Sequence, residues 1–384
     1  MTAAAPLRPS APDAAERDEP VPTAELTRRL RRAPGAPVDE AMDALAGDGL
    51  LSASTLRVLS APMMQAHEAV ANAPPRLFHA LVAIGRADLA VGRLFEGHTD
   101  AVGLVMRLGT TEQKERMVAE TARGGLLGVW GADDPADPAR LEDEDGQIVL
   151  RGRKTYCSGA TLVHRPIIAV KRNGQTQLVL LPRSALEDRF DTSWWRPVGM
   201  EATRSDALSL HGLRVLPGDL LGAPGAYEGH PAFGAGAIRF VAVQLGGMLA
   251  VWDAMREHLR GAGRAGDPHQ AARLGRALAE VEAAFAHVGS AYSRLAPTIA
   301  IGAAPTGGAS ISADAARMTV EAGAARLCDL AQRSIGCMGM MRDAPLARVV
   351  TDLMVYLRQP APDAALTRAG TAAAAGEYAP LFDR

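Results

Sequence analysis

The chain has 384 residues, 48% apolar and 22% charged, with a formal net charge of −2. That balance suits a protein with a large buried core and gives no electrostatic footing for nucleic acid or an acidic membrane surface. Three cysteines, Cys157, Cys328 and Cys337, are too few and too scattered for a disulfide framework or a zinc site, so no metal and a cytoplasmic location are expected.

Residues 1–24 are rich in Pro and Ala without an apolar stretch, which predicts a disordered lead and not a signal peptide. Residues 25–123 carry a helical pattern. Leu77, Leu81, Ile84, Leu89, Val91, Leu94 and Phe95 are spaced for one buried stripe, with a start signal at Asn72 and Pro74-Pro75. Gly109 closes the next helix, and Thr110-Thr111-Glu112-Gln113 reads as a capped restart. Arg28, Arg29, Arg31 and Arg32 read as a solvated face.

Residues 124–230 change texture. Short apolar runs at 126–130, 148–150, 167–170 and 178–181 are separated by Asp145-Gly146, Asn173-Gly174 and Pro182. Asn-Gly between apolar runs is a hairpin signal, and no helix-length segment fits between these strands, so a small antiparallel β domain is predicted. Glu142 to Asp145 make a polar hairpin tip, and Trp194-Trp195 read as core, with shielding of a bound ligand as the second reading.

Residues 231–384 return to helix. The run from Ala237 to Trp252, interrupted by Arg239 and Gln244, reads as too short and too polar to cross a bilayer. Leu274, Leu278, Val281, Phe285, Val288, Tyr292 and Leu295 follow spacings of four and three. Gly307-Gly308 breaks the run before a helix over 313–332, which ends at a Gly336-x-x-Gly339 turn; Met338, Met340 and Met341 read as adaptable packing beside it. The fold class is α+β: an N-terminal helical domain, a central small antiparallel β domain and a C-terminal four-helix bundle.

That order resembles the acyl-CoA dehydrogenase family, over roughly Leu77 to Arg358. Its landmarks are Gly109-Thr110-Thr111-Glu112-Gln113-Lys114, the strand and turn from Leu150 to Ala160, Gly199-Met200-Glu201-Ala202-Thr203 through Leu221-Gly222, the Gly336/Gly339 turn, and Arg342-Asp343-x-Pro345. The resemblance implies FAD between the β domain and the C-terminal bundle, in a homodimer or homotetramer whose neighbouring subunit meets the adenosine end. It implies an oxidoreductase acting on a CH–CH bond of an acyl-CoA or other acyl thioester, with hydride transfer to flavin N5. Carried over, Trp130, Ala132 and Asp133 lie at the first flavin-contacting strand end, and Cys157 and Ser158 at the second. Arg260 or Arg264, with Gln270, fall near the pyrophosphate and adenosine, where a guanidinium suits a diphosphate. Arg333, Gly336 and Cys337 occupy the place of the family's Gln-x-x-Gly-Gly turn.

One departure is chemical. The family's base is a glutamate in a Tyr-Glu-Gly-Thr run, or one just before the first arginine of the bundle; here the matching stretches are Tyr356-Leu357-Arg358-Gln359-Pro360 and Ile238-Arg239. Asp363 is the nearby carboxylate, and it also suits a helix N-cap. A related branch, the two-component flavin monooxygenases, needs no such base and draws on a flavin reductase or other electron-transfer partner. That branch often has a histidine in the long N-terminal helix, where this chain has His98; the plainer reading is a histidine satisfied by its neighbours. A non-catalytic flavin-binding subunit is the third alternative.

Overall fold

A computed structural model describes residues 23–32, 36–61, 74–229, 232–301, 310–359 and 361–377. Helices come first: α1 (Thr23–Leu30), α2 (Asp39–Gly47), α3 (Ala53–Ser60), α4 (Arg76–Ala87), α5 (Leu89–Leu108) and α6 (Thr111–Thr121). Thr23 and Ala24, expected in the lead, belong to α1; residues 1–22, Asn72, Gly307, Gly308 and Pro360 lie outside the described residues.

The stripe over 77–95 is two helices. Asp88 takes extended backbone (φ −162°, ψ 123°), and its carboxylate accepts from the N–H groups of Ala90 and Val91, capping α5. The same carboxylate receives Arg32 at 2.8 Å and Arg348 at 3.2 Å. Arg32 is therefore largely covered and paired, whereas Arg28, Arg29 and Arg31 stay exposed as expected, Arg31 reaching Asp253 at 3.2 Å. The capped restart at Thr110 is a full capping box, Gln113 N–H to Thr110 Oγ1 and Thr110 N–H to Gln113 Oε1.

The middle of the chain is β1 (Leu127–Trp130), β2 (Arg140–Glu144), β3 (Gln147–Arg151), β4 (Arg153–Cys157), β5 (Arg165–Arg172), β6 (Gln175–Leu180), β7 (Phe190–Asp191), β8 (Asp206–Ser209), β9 (Leu213–Val215) and β10 (Leu220–Leu221). A seven-stranded sheet runs β10-β6-β5-β2-β3-β9, with β1 also on β5; a three-stranded sheet runs β4-β8-β7. Pairing is antiparallel except where β1 and β2 lie parallel to β5. Both predicted hairpin tips take positive φ at each turn residue, Asp145-Gly146 and Asn173-Gly174.

The last part is helical: α7 (Ala232–Ala235), α8 (Ile238–Gly261), α9 (Pro268–Ile299), α10 (Ser310–Ile335), α11 (Pro345–Tyr356) and α12 (Pro362–Ala374). The run judged too short for a bilayer belongs to a helical stretch, Phe233–Gly261, of 29 residues, whose most apolar 18-residue segment has mean hydropathy 1.5. By length and composition it could cross a membrane, and 67% of its most apolar 18-residue segment is buried by the rest of the fold. Its two polar interruptions are internal: Arg239 pairs with Asp100, and Gln244 donates to the Tyr356 carbonyl. α4 and α8 cross closely because Gly85 and Gly246 face backbone; a Cβ at either would lie 2.3–2.4 Å from Val243 or Val82 carbonyl oxygen. On α9, Phe285 and Tyr292 seat against Phe78 of α4, whereas Leu278 is exposed, so the stripe is covered mainly in its second half. The β domain docks on α11 through the Met200 N–H, which donates to the Asp352 carboxylate at 2.5 Å, while Gly199 lies against Thr351 backbone.

Candidate functional site

The ends of β1 and β4 lie side by side. Trp130, buried, donates its indole N–H to the Ser158 carbonyl at 3.0 Å. Lys154 is fully buried and places its ammonium 2.7 Å from Asp133, the Gly131 carbonyl and the Ala169 carbonyl. Burial pushes its pKa down and Asp133 opposes that. A buried ammonium with three acceptors fixes the strand-end backbone at 131–133. Gly131 and Ala132 themselves are exposed.

Between Lys154 and Cys157 the β4–β8 register shifts, and Tyr156 takes a left-handed conformation (φ 54°). Such backbone is uncommon for a bulky side chain and marks a position that the surroundings over-determine. Its effect is to turn the ring outward, 51% exposed, edge-on to Trp194 at 4.9 Å and Trp195 at 5.9 Å. The two tryptophans are half-buried and stack on one another, a rim and not the core expected of them. Inward, Ser158 bonds Ser205 at 2.9 Å, Ser205 bonds Thr203 at 2.7 Å, and Thr203 donates to the Met200 carbonyl, a ladder of hydroxyls. Cys157 is buried, and burial pushes its thiol well above the usual range, so it is inert as a nucleophile.

His98 is fully buried and both its nitrogens are used, by the Leu51 carbonyl and the Leu127 N–H. Burial lowers its pKa to about 4, so it is neutral and neither nitrogen is left for chemistry. The catalytic reading of His98 is replaced by a structural one.

A different face of α5 carries charge. Arg93, Glu96, Asp100 and Arg107 succeed one another at helical spacing. Arg93 meets Glu96 at 2.5 Å, Tyr356 of α11 donates to Glu96 at 3.4 Å, and Asp100 pairs with Arg239 of α8. Burial raises the Glu96 pKa, against the pull of Arg93. Arg107 has no carboxylate partner among the described residues, and burial together with Arg239 pushes its pKa down to about 10. A crevice of about 10 Å³, room for roughly one water, joins this stripe to Ser158 through Arg93, Gly97 and Val129. The sequence reading passed over these charges; their signal was a polar stripe on a helix apolar on its other faces.

The remaining predicted residues lie elsewhere. Arg260 is exposed, Arg264 sits 3.6 Å from Asp267, and Gln270, with its amide oriented to satisfy its neighbours, donates to Ser334 and accepts from Arg264 and Arg273. Arg333 is exposed and pairs with Asp329, Gly336 takes φ 76°, and Cys337 is exposed. Met338, Met340 and Met341 are likewise exposed, so they do not pack around the turn. Asp363 is exposed in the first turn of α12, whose N-cap residue is Ala361, so it caps nothing and faces no chamber. A cavity of about 570 Å³ lies between the α4–α5 junction, α8, Met338-Gly339 and α11, and none of the strand-end residues lines it. Among the described residues no cluster of His, Cys, Asp or Glu could hold a metal ion.

A flavin ring is flat and apolar on its faces and polar along one edge. Tyr156 with Trp194 and Trp195 offers an open aromatic face, and the hydroxyl ladder and exposed strand-end backbone offer the edge. The inner crevice is too small for such a ring, whereas the face of this rim is open. The residues present fit the group.

With helices on either side of a two-sheet β domain, this is the acyl-CoA dehydrogenase-like fold, a fold of flavin-dependent enzymes. The FMN-bound dibenzothiophene monooxygenase TdsC of Paenibacillus sp. A11-2 superposes with a TM-score of 0.74 at 20% identity, over 91% of this chain and 95% of that one. Butyryl-CoA dehydrogenase of Megasphaera elsdenii gives 0.72 at 16% identity, over 91% and 93%. In sequence, dibenzothiophene monooxygenase of Rhodococcus qingshengii is 26% identical over 199 residues, 46% of this chain; the chain spans about half the length of the curated relatives it matches. No family model matches.

Proposed function

We propose that this chain is a flavin-dependent monooxygenase supplied with reduced flavin, FMN in the first instance, by a separate reductase. One observation carries the reading. The buried face between α5 and α8 carries Arg93, Glu96, Asp100, Arg107 and Arg239, not the apolar lining and lone carboxylate that desaturation of an acyl chain requires. The match to dibenzothiophene monooxygenases supports the same choice over acyl-CoA dehydrogenation.

Reduced flavin, when bound, supplies the electron pair with which one atom of molecular oxygen enters the substrate and the other leaves as water. The protein's part is to bind and shield. Tyr156, Trp194 and Trp195 would cover one ring face, and Ser158 with the backbone at 131–133 would take the polar edge. The narrow crevice keeps bulk water away from the inner side. Glu96, its pKa raised and its oxygen receiving the Tyr356 hydroxyl, can hold a proton beside the substrate. A cytoplasmic homodimer or homotetramer accompanies this reading.

Glu96 also supports a second reading. A buried carboxylate with a raised pKa is what α-proton abstraction from a thioester would use. Two assays separate the readings. With an unrelated reductase, NADH, FMN and heavy-isotope oxygen, the first predicts product carrying the heavy atom. With acyl-CoAs under anaerobic conditions, the second predicts bleaching of oxidised flavin; bleaching without oxygen incorporation rejects the first.

A further inference from the structure

The cavity of about 570 Å³ between the α4–α5 junction, α8 and α11 takes no part in the flavin reading. Its size falls among small-molecule sites, roughly 300–1,000 Å³. Exposure gives it a direction. Arg31, Glu257 and Met338 stand open at its mouth, and Asp88, Leu89 and Leu346 lie buried at its floor. One wall is aliphatic, built from Leu89, Leu346, Val349, Ile335 and Ala250.

The other wall is charged, and its two signs are not equally placed. Both oxygens of Asp253 accept from Arg86 at 2.7 Å, and Arg31 at 3.2 Å and Arg256 at 3.3 Å share them. The Asp253 side chain is 4% exposed, against 46% for Arg31, 34% for Arg86 and 40% for Arg256. Asp88 is covered in the same way, its oxygens spent on two backbone N–H groups, Arg32 and Arg348. Guanidinium groups thus sheathe each carboxylate and are what a molecule in the cavity would meet. Five arginines (Arg31, Arg32, Arg86, Arg256 and Arg348) stand against four carboxyl groups (Asp88, Asp253, Glu257 and Asp352), so cations lead by one. Burial pushes the Asp352 carboxyl upward, which lightens the negative side further.

We propose that this cavity binds an organic acid, its carboxylate held by Arg31 and Arg86 and its apolar body laid against Leu89, Leu346 and Val349. Arg86 commits Nε and Nη2 to Asp253, and Arg31 commits Nη2. Nη1 of each remains for a second carboxylate, since Arg31 Nη1 lies 3.8 Å from Glu257, beyond hydrogen-bond length. The arginine surplus supplies the counter-charge, and charge-assisted bonds of this kind are the strong ones.

The test is calorimetry on the full chain without flavin. The probes are 1-naphthoate, its neutral amide 1-naphthamide, and acetate, which has the head without the body. Naphthoate is expected to bind, the amide about tenfold or more weakly, and acetate more weakly still. Arg86→Gln leaves Asp253 with two guanidinium partners, so it is expected to fold and to weaken naphthoate about tenfold. Ala254→Phe fills the cavity from a half-buried position on α8 and is expected to abolish binding with little change in Tm. Tyr156→Gly, on the flavin rim, is expected to leave naphthoate affinity unchanged. No naphthoate binding to the unaltered chain, equal binding of the amide, or unaltered affinity in either cavity variant overturns the proposal. So does loss of naphthoate in Tyr156→Gly, which would place the acid at the rim. These readouts need neither flavin nor oxygen, so failure here leaves the monooxygenase reading untouched, and failure of that reading leaves this site standing.

Discussion

The backbone N–H of Leu127 donates to Nδ1 of His98 at 3.0 Å, which leaves Nε2 to carry the hydrogen that meets the Leu51 carbonyl at 2.8 Å. One imidazole thus ties the start of β1 to α5 and to the turn before α3. Its folded pKa of about 4 lies below the ordinary value of 6.5. The unfolded chain therefore takes up a proton first as pH falls. Stability contributed by the neutral ring is complete above about pH 6.5 and is lost between there and pH 4, by roughly 3 kcal/mol. Chemical denaturation across that window should show the slope, and His98→Gln should flatten it; an unchanged slope in the variant would remove His98 as its source.

Tyr156 combines strained backbone with an open ring. Tyr156→Gly relieves a left-handed conformation worth about 1 kcal/mol and loses the ring contacts, so thermal stability should change little. Flavin affinity, read from quenching of flavin fluorescence, should fall about tenfold, whereas Tyr156→Phe should keep it. Equal affinity in all three proteins would move the flavin away from this rim.

Lys154 ties strand-end backbone to Asp133 from a fully buried position. Lys154→Met leaves two carbonyls and a carboxylate without their donor and should cost about 3–5 kcal/mol in urea unfolding. A loss below about 1 kcal/mol would mean that water replaces the ammonium.

Glu96→Gln keeps an acceptor for Tyr356 while removing the charge opposite Arg93. A loss of about 1–3 kcal/mol in stability is expected. Oxygen incorporation should slow and its pH profile should shift, since a group of raised pKa is removed. An unaltered profile would show that Glu96 only supports Arg93.

What could be read from the sequence was local. The Thr110 box and the Asn173-Gly174 hairpin are decided within four residues, and both formed as expected. The break at Asp88 was hidden because the apolar period runs through it on either side, and only the folded chain brings Arg32 and Arg348 to its carboxylate. Trp194 and Trp195 looked like core because large rings usually are, yet the bulge at Tyr156 makes them a rim. The charged stripe of α5 was missed for a related reason. Periodicity alone cannot tell a polar face turned to water from one turned to α8, and the arginine that settles it, Arg239, lies far along the chain.

Asp88 fastens three strokes of the polypeptide with one pair of oxygens: the junction of α4 and α5, the tail of α1 through Arg32, and the foot of α11 through Arg348. Since α11 also carries Asp352, which grips the β domain at Met200, the two outer layers and the sandwich between them share a single mechanical knot. Cutting it at Asp88 would let the terminal arm and the long bundle drift apart together, not one at a time.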